Sequence, residues 1–445
     1  MTRVTRRSVL SAAVLTAVVP VIVDHDQAVA VETDIDLTDW TLLSVGDEFT
    51  DPARSSAQWH RGLWYPHSGS GIFRDTNVSF SGGQLHLAAR TERVDGFSYT
   101  FGAVESVFDL PGLCTYVEVR AKALPSAARV LSAIWMQSSA LDGGPSLLTG
   151  AEPNPELDVE ETFDHTKMNI ATHVWPDNTE ATHRRFGGHA YPVGVDISRD
   201  YHTYGVERSD GRLRFYCDRH LAWETKPGDS SLWRMSRHMV LSLEGHLGTP
   251  VVSRLPASFD IDYVRAWYAP NPALESGDYR LTSADGRFLA CHDGVPTLQA
   301  QPQTWCVVRH GDCTYSLSTP GGAVLGLDVE AGKHEVVVGS GLRTTSDAEG
   351  SLNRWHLLAD GAGRTLHSKF TGLPIVVADS RVIEGSDSAT AAVWTLTTTI
   401  PSPLPSPSAT SIPVPSTPAR STSAAADAAP SRPGLPRTPL PRTGV

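Results

Sequence analysis

From Gln84 to Ala89 apolar and polar side chains alternate, and the same period of two returns in Tyr116–Ala121, Met168–Val174, Arg212–Tyr216 and Met239–Leu243. An extended chain points successive side chains to opposite faces, so each run predicts a strand with one buried side. Gly, Asp, Asn and Pro bound these runs, and no long stretch carries a helical period. Many short strands with turn signals between them predict an all-β chain, a sandwich or barrel rather than a parallel α/β sheet.

One strand-like stretch breaks the alternation with charge. Glu156-Leu157-Asp158-Val159-Glu160-Glu161 crowds four acidic side chains into six positions. Like charges this close repel, and burying them together displaces their pKa values. On a strand Glu156, Asp158 and Glu160 share a face, and a one-residue bulge would bring Glu161 round in place of Glu160. Cleaving a glycosidic bond needs one ionised and one protonated carboxyl, about 5 Å apart when configuration is retained. A third carboxyl between them can hold the shared proton. Residues four apart on a flat strand lie roughly 13 Å apart, so the sheet must curve, which would also make a groove for a polymer. The alternative is an acidic, solvated strand edge.

The acidic run resembles the active-site signature of glycoside hydrolase family 16, Glu-x-Asp-x-(x)-Glu. The flanks agree in order: Asp47-Glu48-Phe49, Gly83-Gln84-Leu85-His86-Leu87, Tyr116 to Lys122, Ile134-Trp135-Met136, Thr172-His173-Val174-Trp175, Tyr201 to Glu207 and Asp262 to Trp267. The resemblance covers about residues 38–268 and implies a β-jelly-roll sandwich that cuts β-linked polysaccharide internally with retention. Carried over, Glu156 is the nucleophile, Asp158 the supporting carboxylate and the last Glu the acid/base. The bulged pattern places that role at Glu161 and the unbulged one at Glu160; Glu161 is favoured because Thr162 and the agarase-like surroundings fit the bulged subgroups. Trp135 resembles the tryptophan beneath the cleaved sugar, and His173 matches a substrate-contacting His of agarase-like members; each has a plain packing role as its alternative. Trp64, Trp175 and Trp233 are candidates for outer subsites, and Glu244 lies on a strand that can face the cleft.

No His-x-x-x-His pair, Cys-x-x-Cys, phosphate loop or Gly-x-Ser-x-Gly elbow is present, so no metal or cofactor is expected; the structural calcium that the resemblance allows has no support in the sequence. The formal net charge of −12 argues against nucleic-acid and anionic-membrane partners. Residues 1–30 read as a signal peptide of twin-arginine character: Thr5-Arg6-Arg7 precedes an apolar run to Val23, and Ala28-Val29-Ala30 offers small residues for cleavage. The chain is thus expected to be secreted, soluble and monomeric. Five cysteines cannot all pair; Cys306 with Cys313 is a candidate disulfide, while Cys114 and Cys217 are candidate buried thiols.

After a linker at 269–278, three units recur at 279–398. Gly286–Asp293, Gly321–Asp328 and Gly372–Asp379 each carry an Asp seven residues after the Gly, and each unit reaches a Trp, at Trp305, Trp355 and Trp394. Gln303-Thr304-Trp305 and Asn353-Arg354-Trp355 resemble the Gln-x-Trp motif of ricin-type β-trefoil lectins, whose three repeats close one barrel. That resemblance makes Asp293, Asp328 and Asp379 candidate sugar ligands, with turn capping as the alternative. From 399 to 445 the chain is Pro, Ser, Thr and Ala rich and is expected to be a disordered stalk. Its end, Leu440-Pro441-Arg442-Thr443-Gly444, resembles a sortase signal and would permit covalent wall attachment.

The whole reads as a retaining endo-β-glycosidase with a carbohydrate-binding module, acting on agar or a related galactan. A β-1,3-glucanase or a transglycosylase of the same fold is the nearest alternative, and a glycan-binding wall protein without activity is the alternative of another class.

Overall fold

Why the alternating runs become strands is visible in what each face meets. In the computed structural model, Ile134, Met136, Leu157, Met239 and Leu241 from one sheet join Val117, Val119, Val206, Phe215 and Val264 from another in a single core, all nearly inaccessible to solvent. Burying each such side chain contributes roughly 1.5–3 kcal/mol, which fixes the register of every strand that carries one. The described residues are 34–399 except 139, 142–143, 146, 150–154, 176–180, 210, 226–232, 329–334, 338–339, 347–349 and 387–389. The expected signal peptide at 1–30 and the Pro-rich tail from 400 lie outside them.

The chain is all-β. One seven-stranded sheet runs in the order Arg184–Pro192, Lys167–Val174, Pro155–Glu161, Leu131–Ser138, Arg237–Glu244, Ala103–Ser106, Trp59–Arg61, with every neighbouring pair antiparallel. The acidic strand therefore lies near the middle. The facing sheet has Thr115–Lys122 and Ala257–Tyr268 at its centre, flanked by His202–Ser209 on one side and Gln84–Val94 on the other. Among the described residues no helix is long and apolar enough to cross a membrane.

Strands from Gly277 to Thr398 surround a second core. Trp305, Trp355 and Trp394 are fully buried in it. Trp305 and Trp355 make equivalent bonds, their indole N–H groups donating to Leu289 O at 2.8 Å and Leu325 O at 3.0 Å. The third unit departs from this pattern. The Ala392 N–H takes the Ile375 carbonyl at 2.9 Å, and the Trp394 indole N–H finds no acceptor among the described residues.

This module is joined to the sandwich by buried polar contacts. Tyr268 Oη meets His356 Nδ1 at 3.1 Å, and Arg234 donates to Thr371 O at 2.9 Å. Gly372 sits at φ +70°, and a Cβ there would lie 2.6 Å from the Arg234 carbonyl, so only glycine permits the approach.

The candidate disulfide is corrected. Cys306 and Cys313 form no disulfide. Cys306 lies in the strand Trp305–Arg309 opposite Ser318, whereas Cys313 packs into the sandwich core with its sulfur accepting from Arg309 at 3.3 Å. The two side chains serve different surroundings, and burial holds the Cys313 thiol above its usual range.

Candidate active site

Along Pro155–Glu161 the pairing with Leu131–Ser138 slips by one residue. Met136 stands opposite Leu157 and Trp135 opposite Asp158, but Ile134 stands opposite Glu160, so Val159 is an extra residue in the ladder. A bulge of this kind reverses the facing of everything beyond it. Glu156, Asp158 and Glu161 consequently share the face away from the core, with Trp135 and Gln137. Glu160 turns inward with Ile134.

Each end of the strand meets a different set of groups. Glu156 Oε2 accepts from Gln137 Nε2 and from Trp175 Nε1, each at 3.1 Å, and the Arg237 guanidinium adds positive charge. Oε1 has no donor among the described residues. Burial and the Asp158 charge push the Glu156 carboxyl well above the carboxylate range, against the pull of Trp175 and Arg237. Glu161 has no side-chain hydrogen bond among the described residues; burial, then Asp158, Glu156 and Glu160, push it well above the carboxylate range, opposed by Arg185. Carboxyls confined this closely oppose one another's ionisation. Gln137 and Trp175 favour the charged form of Glu156, and no donor among the described residues does the same for Glu161.

Glu160 is a buried neighbour with no access to that face. Thr162 Oγ1 lies 2.9 and 3.1 Å from its two oxygens and is itself reached by Ser132 Oγ at 2.9 Å. Burial pushes its carboxyl up to about 8.

His173 stands directly opposite Glu156 on the next strand. Its Nε2 is 3.1 Å from Asp158 Oδ2, and its Nδ1 is 2.6 Å from His183 Nε2. The His183 ring lies on Trp175, with centroids 4.0 Å apart and planes at 17°. Among the described residues, ligand atoms of Glu156, Asp158 and His173 fall within 4.8 Å of one another, close enough for a cation. His173 and Asp158 already satisfy each other there, and we assign no ion to the group.

Trp135 is only 7% exposed, donates to Ser242 Oγ at 3.1 Å and meets Trp64 edge-on at 5.5 Å. It is as much a wall of the site as a platform. Trp233 packs partly buried against the sandwich core. Glu244 is buried and accepts from Tyr65 at 2.9 Å, within electrostatic reach of Glu156. In the C-terminal module Asp293 and Asp379 occupy hairpin turns at φ +50° and +58°. Asp328 follows the strand Val324–Leu327 and lies 3.7 Å from Arg343. None of the three joins the acidic group.

Four participants escaped the sequence reading in these roles: Gln137, Trp175 as a donor, His183 and Arg185. Gln137 was legible in principle, being two residues beyond Trp135 and so on the same face. Arg185 gives no such signal. It lies across Gly188, where a Cβ would fall 2.1 Å from its Nη2, and only the folded edge strand brings it near Glu161.

The two-sheet β sandwich thus gathers Glu156, Asp158 and Glu161 on one face of its acidic strand. Residues 70–240 match the family model described as glycosyl hydrolases family 16. The chain is 26% identical over 265 residues to the clotting factor G alpha subunit of Tachypleus tridentatus, covering 56% of this chain and 37% of the relative. It is 25% identical over 276 residues to the kappa-carrageenase of Pseudoalteromonas carrageenovora, covering 51% and 64%. The chain thus spans less than two thirds of the length of either relative. Among solved structures it is similar to the endo-beta-1,3-glucanase of Pyrococcus furiosus, at 20% identity over 53% of this chain and 97% of that one, with a TM-score of 0.44.

Proposed function

We propose that the protein is a secreted, retaining endo-β-glycosidase that hydrolyses a β-linked polysaccharide, agar or a related galactan before a β-1,3-glucan. The observation that carries this reading is the unequal treatment of Glu156 and Glu161 on one face of a bulged strand: two donors for the first and none for the second. The similarity to a kappa-carrageenase supports a galactan.

In the proposed cycle Glu156 Oε1 attacks the anomeric carbon while Oε2 stays bound by Gln137 and Trp175. Glu161 passes its proton to the glycosidic oxygen as the bond to the leaving sugar breaks, and a glycosyl ester forms on Glu156. Glu161, now ionised, takes a proton from water, which attacks the same carbon and restores both carboxyls with the β configuration kept. Asp158 lies between them and, with its bond from His173, spreads the charge that moves during each step. A second sugar entering in place of water would give transglycosylation.

The module at 279–398 is proposed to be a ricin-type β-trefoil that holds the enzyme on insoluble glycan, with Asp293, Asp328 and Asp379 as sugar ligands, raising the effective concentration of cleavable bonds. Export through the N-terminal signal and attachment through the Leu440–Gly444 motif belong to the same proposal.

The test is to incubate the purified chain with agarose, carrageenan, laminarin and lichenan and to follow reducing ends and the anomer first released. Cleavage with the β-anomer appearing first is expected. Release from none of them, with binding to any, would instead leave the glycan-binding wall protein as the function.

A further inference from the structure

Two of the donors that act on the acidic group converge on one side chain outside it. Trp175 donates to Glu156, and His173 faces Asp158, at 3.1 Å in each case. Both touch His183, which enters from the loop before the edge strand Arg184–Pro192. His183 Nε2 lies 2.6 Å from His173 Nδ1, and its ring covers Trp175 at 4.0 Å between centroids.

We infer that His183 is a positioning residue for the reaction, setting the tautomer of His173 and the plane of Trp175 together. The inference rests on the catalytic reading of Glu156 and Asp158 given above. A neutral imidazole has one N–H and one lone pair. If the His173 N–H is on Nε2, directed at Asp158, then Nδ1 is a lone pair and needs a donor; His183 Nε2–H supplies it at hydrogen-bond distance. Without that donor His173 is free to carry its proton on Nδ1 instead. Nε2 would then face the Asp158 carboxylate lone pair to lone pair, and Asp158 would lose a donor at the point where charge shifts between Glu156 and Glu161. The stacking contact has a separate effect. It restrains the indole so that its N–H stays on Glu156 Oε2, leaving Oε1 for attack. Packing alone would need the ring contact but not the nitrogen-to-nitrogen bond.

Three variants separate these effects in the full chain. His183→Phe keeps a stacking ring and loses the donor, His183→Gln keeps a donor and loses most of the stack, and His183→Ala loses both. On whichever β-glycan the wild type cuts, His183→Phe is expected to lower kcat about tenfold or more with KM within about twofold. His183→Gln should recover most of that loss, and His183→Ala should be the slowest. Nitrogen-15 imidazole spectra, with the His173 signals identified from a His173→Gln variant, should show His173 as the Nε2–H tautomer in the wild type and a mixture in His183→Phe. Wild-type kcat in His183→Phe, no recovery in His183→Gln, or an unchanged His173 tautomer would each overturn the inference. Should His183→Ala not fold, the Phe and Gln pair and the spectra still decide. A wild type that cuts no β-glycan would overturn the catalytic reading, and the tautomer spectra would then test His183 separately.

Discussion

The two faces of the strand Pro155–Glu161 hold the same side chain in opposite surroundings. Glu161 lies among carboxyls on the face away from the core, while Glu160, one residue earlier, is sealed inside with Thr162 and Ser132. Both carboxyls are pushed up, but by different causes: burial and like charges at Glu161, burial at Glu160. A raised pKa therefore does not mark a catalytic acid by itself. What separates the two is the extra residue Val159, which decides the face each one takes.

Replacing residues on the outer face should have the largest effects. Glu156→Gln removes the proposed nucleophile and is expected to lower kcat/KM by about 10⁴-fold or more with binding to the polymer retained. Kinetics beside a pull-down on insoluble glycan would show this, and an active variant would shift the chemistry away from Glu156. Glu161→Gln should cost about 10²- to 10⁴-fold on a polysaccharide and much less on an aryl glycoside whose leaving group needs no proton. Glu160→Gln should stay close to wild type in the same assays; equal, mild losses from both would erase the distinction between the faces.

Trp175→Phe tests the donor that distinguishes Glu156 from Glu161. Losing a hydrogen bond to a charged group is worth about 1.5–3 kcal/mol, so kcat should drop roughly 10- to 100-fold without unfolding.

The smallest effect is on stability and belongs to the inner face. The Glu160 carboxyl is raised from 4.5 to about 8 in the folded chain. Between those pH values the native state binds a proton that the unfolded state has lost, so Glu160 makes stability fall as pH rises through that window. In Glu160→Gln the fall between pH 5 and pH 8 should be visibly shallower in urea titrations. Glu384, raised to about 7 by burial, contributes with the same sign and is untouched by the substitution. An unchanged slope would mean that Glu160 is ionised inside the sandwich.

Much of this was legible before any coordinates. The period-two runs identify strands because only an extended chain puts alternate residues on one side, and the acidic run stands out because like charges are costly to gather. Asp158 and Glu156 could be named from that run alone. The last carboxyl could not, since Glu160 and Glu161 differ in the sequence by one position and in the fold by a whole face.

The sequence by itself determined the strand content, the acidic segment and the spacing of the buried tryptophans, because these follow from local alternation and composition. Tertiary structure alone decided that Val159 bulges, that Gln137 and Trp175 both reach Glu156, that His183 bridges His173 and Trp175, and that Cys313 packs against the sandwich rather than Cys306. Each of those depends on strands or loops distant along the chain arriving at one point. That arrival is set by how the two cores pack, a property of the whole fold that no local stretch encodes.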